Sequence, residues 1–194
     1  TLTVTPIRVS AGGALPYAGD DATLKKALEA NSVLQCDDPN LVALAEKAVA
    51  DASNAGAAAA NIEQFVAEYI ELKDLSVGYA SAVEVMESRQ GDCTEHAVLT
   101  AALCRAAGIP AEVVIGVAYV EQFMGTTQSF GGHAWTRAWV NGQWIGLDAA
   151  FAGTGRGGFD AGHITLSTGN GESTDFFSLL GSIGKFNITE AKVL

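Results

Sequence analysis

Gly-Ile-Pro at residues 108–110 divides the chain into two textures, and that division constrains the fold more than any other feature. Before it, apolar residues recur at helix spacing; after it, they come in β-branched runs and alternations. "DDPNLVALAEKAVADA" opens with Asp38 as N-cap and Pro39 at the first helical position, where a missing N–H costs nothing. Leu41, Leu44, Ala45, Ala48 and Val49 then follow one face. "AANIEQFVAEYIELK" repeats the pattern through Ile62, Phe65, Val66, Tyr69 and Ile70, and helix propensity accounts for the low-complexity "AGAAAA" before it. "DDATLKKALEA", capped by Asp20 or Asp21, and "SAVEVMESR", capped by Ser81, predict shorter helices. A fifth helix runs over about 93–107 and stops at Gly108 and Pro110.

After Pro110, "AEVVIGVAYV" reads as a buried strand. "HAWTRAWV" and "QWIGLDAA" flank Asn141-Gly142, a strong short hairpin signal. "HITLST" predicts a further strand, "TDFFSLLGSI" a short amphipathic helix and "KFNITEAKVL" a closing strand. Helices first and consecutive strands later predict an α+β fold, with a helical N-terminal half packed on an antiparallel β-sheet. Residues 1–20 are expected to form an N-terminal arm or edge strand, and 21–194 a single domain. Two Gly-rich stretches, "EQFMGTTQSFGG" and "FAGTGRGGFDAG", are expected as functional loops.

Composition narrows the function classes. At 194 residues and 48% hydrophobic content the chain has enough apolar material for a core. A net charge of −11, with no run of Lys or Arg, argues against nucleic-acid backbones and anionic membranes as partners. No apolar stretch reaches the roughly 18 residues of a membrane span, so membrane insertion is not expected. The start at Thr1 without a leader-like segment reads as a processed product, which fits an exported, periplasmic or extracellular protein.

The three cysteines, Cys36, Cys93 and Cys104, do not make a disulfide scaffold. On one helix Cys93 and Cys104 lie roughly 16 Å apart, too far to bond, whereas Cys36 and Cys104 remain a conceivable pair. Cys93 is distinguished by its place. Asp92 can cap the fifth helix with Glu95 three residues on, which makes Cys93 the first helical residue. The positive end of the helix dipole there favours thiolate, so the Cys93 pKa is expected to be lowered. Cys104 reads as a small buried apolar residue, and Cys36, in a polar connection, as an ordinary thiol. A nucleophilic thiol wants a base and a group to orient that base. A hairpin turning at Asn141-Gly142 places His133 opposite about residue 150 and Asp148 opposite about 135, so the two become near-diagonal neighbours.

"GDCTEHAVLTAALCRAAGIPAEVVIG", "HAWTRAWVNGQW" and "LDAAF" together resemble the bacterial transglutaminase-like superfamily, in the papain-like cysteine enzyme group. The resemblance covers about residues 38–168 and implies a papain-like core with a nucleophile at the N-terminus of a buried helix. It implies Cys93 as nucleophile, His133 as base and Asp148 as orienting acid. Arg137 stands where an acidic residue is common in the family, and Glu112 where Arg often follows "GIPA". The activity implied is acyl transfer or amide hydrolysis on a peptide or protein substrate, with no cofactor and no resident metal. Gly132, Trp135 and His163 are the candidates for substrate contact, and Gln90 and Tyr79 for a second oxyanion donor. His96, one turn from Cys93, is expected as a packed or hydrogen-bonded histidine rather than a rival base. Two other classes compete with this reading. One is a metal site built from Cys93, His96, His133 and Asp148. The other is a non-catalytic peptide- or protein-binding module on the same fold.

Overall fold

A computed structural model of the chain describes residues 2–7, 11–73, 79–123, 125–154, 157–172, 174–175 and 188–190. Its helices start where the sequence supplies a side-chain acceptor for the free N–H groups of the first turn. Asp21 caps α1 (Ala22–Lys26), Asp38 caps α2 (Pro39–Val49) and Asn54 caps α3 (Ala55–Tyr69). Ser81 and Asp92 cap α4 (Ala82–Ser88) and α5 (Cys93–Ala106), each completed by a glutamate three residues on. The strands are β1 (Ala111–Phe123), β2 (Thr126–Val140), β3 (Gln143–Leu147) and β4 (His163–Gly169), with a short α6 (Ala149–Ala152) after β3. They pair antiparallel in the order β3-β2-β1-β4. This is the expected α+β arrangement.

Helix α5 is buried from Thr94 to Arg105, which explains its lack of a polar face. Leu99, Leu103, Ile115, Ile145 and Leu147 belong to one core shared by helices and sheet. Thr136 Oγ1 on β2 donates to the carbonyl of Ala97 at 2.8 Å, tying the sheet to the helix one turn beyond Cys93.

Three sequence expectations need correction. The stretch 121–132 is not a loop: most of it extends β1 and β2 into a long hairpin, with Val117 opposite Gly132 and Phe123 opposite Thr126. Glycines weaken a strand but do not end one that has a partner along its whole length. The strand expected over 143–150 ends at Leu147, because Asp148 turns out of the sheet to cap α6 through the N–H of Phe151. Helix α3 starts at Ala55 and ends at Tyr69, four residues earlier than its pattern allows. The helix expected over 174–183 and the closing strand over 185–194 fall almost wholly outside the described residues.

The Asn141-Gly142 turn forms with both residues at positive φ, and Val140 pairs with Gln143 as a two-residue hairpin requires. The two departures from the family pattern face each other. Glu112 lies opposite Arg137, whose Nε donates to Glu112 Oε2 at 2.7 Å, and the guanidinium stacks 4.4 Å over Trp144. In this chain the two side chains therefore form an ion pair between β1 and β2. Because both groups are only partly exposed, Glu112→Ala and Arg137→Ala should each cost about 1 kcal/mol. The double variant should cost less than the two singles together, by about 0.5 kcal/mol or more, in a urea-unfolding cycle.

Candidate active site

The mouth of α5 is held from several sides. Asp92 accepts the N–H of Thr94 at 2.9 Å. Glu95, fully buried, accepts the N–H of Asp92 at 3.0 Å and that of Ala80 at 3.1 Å. One carboxylate thus fixes both the helix tip and the segment entering α4. Gly91 has φ +152°, and a Cβ there would stand 2.2 Å from that of Glu95, so only glycine lets the chain enter the helix here. Cys93 emerges from this frame half-buried, close to the backbone N–H of Ala134.

The expected lowering of the Cys93 pKa is overturned. Burial, with the Asp92 and Asp148 carboxylates nearby, pushes the thiol up to about 12. Desolvation of a thiolate outweighs the helix dipole, whose worth is about 1 kcal/mol. Cys36 is also corrected: it is buried with its Sγ 3.6 Å from the carbonyl of Leu28, and burial raises its pKa. Cys104 is buried as expected and pushed up to about 12 by desolvation. All three thiols are free, so Cys36 and Cys104 do not pair.

His133 lies on β2 beside Ala134. Its ring stacks on Phe151 at 4.3 Å, and its Nε2 lies 2.8 Å from Asp148 Oδ2. Asp148 is 1% exposed. Its Oδ2 also meets His163 Nε2 at 2.9 Å, its Oδ1 accepts the N–H of Phe151 at 3.0 Å, and its own N–H donates to Glu63 Oε1 at 2.5 Å. Burial alone would raise the Asp148 pKa, but the hydrogen bonds from His133 and His163 hold the carboxyl well below the usual range.

The structure thus brings His133 and Asp148 into contact and sets Cys93 beside the β2 backbone next to His133. It separates other expected site residues. Trp135 is 2% exposed, enclosed with Phe159 and His163, and His163 is equally buried against Asp148, so neither offers a surface to substrate. Both rings are drawn inward because an aromatic cluster surrounds the buried carboxylate. Gly132 is exposed next to His133. The Tyr79 hydroxyl is hydrogen-bonded to the carbonyl of Gly171, and Gln90 bridges Leu72. His96 places Nδ1 2.6 Å from the carbonyl of Asp92, within the helix tip, as its packed reading expects.

Among the described residues, the group whose ligand atoms lie within 4.8 Å of one another and could hold a metal is His133, Asp148 and His163. Neither Cys93 nor His96 joins it, so the competing four-residue metal set of Cys93, His96, His133 and Asp148 is not assembled.

Glu63 is the site residue that sequence reasoning missed. It interrupts the apolar face of α3 beside Ile62, with no local sign that its partner is 85 positions away. Burial pushes its carboxyl up to about 7 from 4.5. Between those values the folded chain binds a proton that the unfolded chain releases. The stabilisation is therefore complete below about pH 4.5 and disappears as pH rises to about 7. Its size is on the order of 3 kcal/mol. Glu63→Gln, which keeps the acceptor for Asp148, should abolish this fall; urea unfolding at about pH 5 and pH 8 reads it directly.

No helix among the described residues is long and apolar enough to cross a membrane. A search of the curated proteins finds no match. Among solved structures, a candidate cysteine protease from Cytophaga hutchinsonii is 28% identical with a TM-score of 0.65, covering 80% of this chain and 49% of that one. The periplasmic domain of TgpA from Pseudomonas aeruginosa is similar in fold. Its ethylmercury-bound form is 24% identical with a TM-score of 0.51 over 68% of this chain and 50% of that one. The form without ethylmercury is 23% identical with a TM-score of 0.52 over 69% and 49%. The chain spans about half the length of each of these structures. The model of the transglutaminase-like superfamily matches residues 42–149, more than half the chain, across the stretch that holds Cys93, His133 and Asp148; the chain belongs to that superfamily.

Proposed function

We propose that the chain is a cysteine-dependent enzyme of acyl transfer or amide hydrolysis, acting on a peptide or protein through Cys93, His133 and Asp148. The observation that carries this reading is the bond from His133 Nε2 to the buried, ionised Asp148. Asp148 can only accept, so His133 bears its proton on Nε2 and keeps the Nδ1 lone pair for the thiol. The likeness to a candidate cysteine protease supports the same chemistry.

The raised thiol pKa supports one route to the nucleophile over the other. The resting sulfur is a thiol, and His133 acts as a general base during attack rather than as the counter-ion of a standing thiolate. The sulfur attacks a carbonyl carbon as its proton passes to His133 Nδ1. Asp148 stabilises the imidazolium, and the N–H of Cys93, in the first turn of α5, serves as a donor to the oxyanion. Collapse of the tetrahedral adduct expels an amine that takes the proton from His133, leaving a thioester. Water then completes hydrolysis, or an amine completes transfer.

Alkylation by iodoacetamide tests the assignment without a known substrate. Cys93 should react before the buried Cys36 and Cys104, and His133→Ala should slow it by about tenfold or more. Peptide mass mapping over a time course gives the order. An unchanged Cys93 rate in His133→Ala would overturn the reading.

A further inference from the structure

The reaction just proposed makes no use of a second imidazole, yet His163 shares Asp148 Oδ2 with His133 and is the more deeply buried ring. Strand β4 delivers it to the sheet edge, where its Cα faces Ala118 of β1. Trp135, Phe159 and Phe151 surround it at 5.1, 4.7 and 5.4 Å. On its far side, Nδ1 accepts the backbone N–H of Asp160 at 3.2 Å, with Asp160 Oδ1 at 2.9 Å and the Asp160 carbonyl at 3.1 Å beside it. Asp160 is in turn held by the N–H of Gly162 at 2.8 Å. A ring buried this completely is costly unless its polar atoms are matched; Nδ1 accepts from the Asp160 N–H, which leaves the proton on Nε2, facing Asp148.

The need for it lies in Asp148. That residue has left the ladder of β3, so no strand partner steadies it. One oxygen is fixed by the α6 cap, and the other must face His133 without rotating away. We propose that His163, braced by Asp160, is a positioning residue that donates to Asp148 Oδ2 and so fixes the carboxylate, and through it the His133 tautomer. Cys93–His133–Asp148 then continues as His163–Asp160, with His163 buried and Asp160 partly exposed at the far end. This inference rests on the assignment of His133 as base.

The test combines nitrogen NMR of the imidazoles with kinetics on p-nitrophenyl acetate. In the wild-type protein at about pH 8, both His133 and His163 should carry a proton on Nε2; a bare Nε2 on His163 overturns the proposal. His163→Phe fills the ring volume without a donor. It should lower kcat about 10- to 100-fold with KM within about threefold, and His133 should then populate both tautomers. His163→Gln restores an N–H toward Asp148 and should recover most of the loss. Equal losses in the two variants would reduce His163 to packing, and wild-type kcat in His163→Phe would remove it from the reaction; either result overturns the proposal. If circular dichroism shows His163→Phe unfolded, the wild-type spectrum and His163→Gln decide. Full activity in Cys93→Ala would instead overturn the nucleophile assignment, while the ring protonation would still judge His163.

Discussion

Cys93→Ala should lower hydrolysis of an activated ester or a peptide amide by about 10⁴-fold or more, with little change in Tm. The rate effect is large because no other thiol can substitute: Cys36 and Cys104 are buried away from the helix tip. The fold should tolerate the change. Position 93 is the first residue of α5, its capping atoms belong to Asp92 and Glu95, and Ala is the best helix former. Initial rates and thermal unfolding measured on the same preparation check both halves. Activity within tenfold of wild type would end the nucleophile assignment.

Asp148→Asn should cut kcat by about 10³- to 10⁴-fold with KM little changed. Asn is a good N-cap, so its oxygen should keep the N–H of Phe151 and hold α6 in place. Its NH₂ group then points at His133 Nε2 and His163 Nε2, which are themselves donors. Donor against donor forces His133 to move its proton to Nδ1, the nitrogen needed to accept from the thiol. The variant would bind substrate on an intact surface and fail at proton transfer. Steady-state kcat and KM separate the two effects, and a kcat near wild type would assign Asp148 to the α6 cap alone.

Much of this was legible in the chain. The caps Asp38, Ser81 and Asp92, the Pro39 start and the Asn141-Gly142 turn act through atoms a few residues away, so near neighbours suffice to read them. The turn also set the register that brings His133 toward Asp148, although β3 stops at Leu147 and the contact is made from beyond the strand. The three spaced motifs pointed to the family, and Glu112 and Arg137 were visible as departures though not as a pair.

Tertiary structure decided what depends on burial and on partners distant in sequence. The helix dipole at Cys93 is local and favours thiolate. The desolvation that defeats it comes from the surrounding protein, and no window around residue 93 contains it. Trp135 and His163 carry the chemistry of a binding surface, but enclosure puts both inside. Asp148 looks like a strand end in sequence; its proposed role rests on His133, His163 and Glu63 converging on it from β2, β4 and α3. Local hydrogen bonding wrote the elements and their order into the sequence, whereas solvent exclusion, a sum over the whole fold, set the charge states and accessibility of the residues at the site.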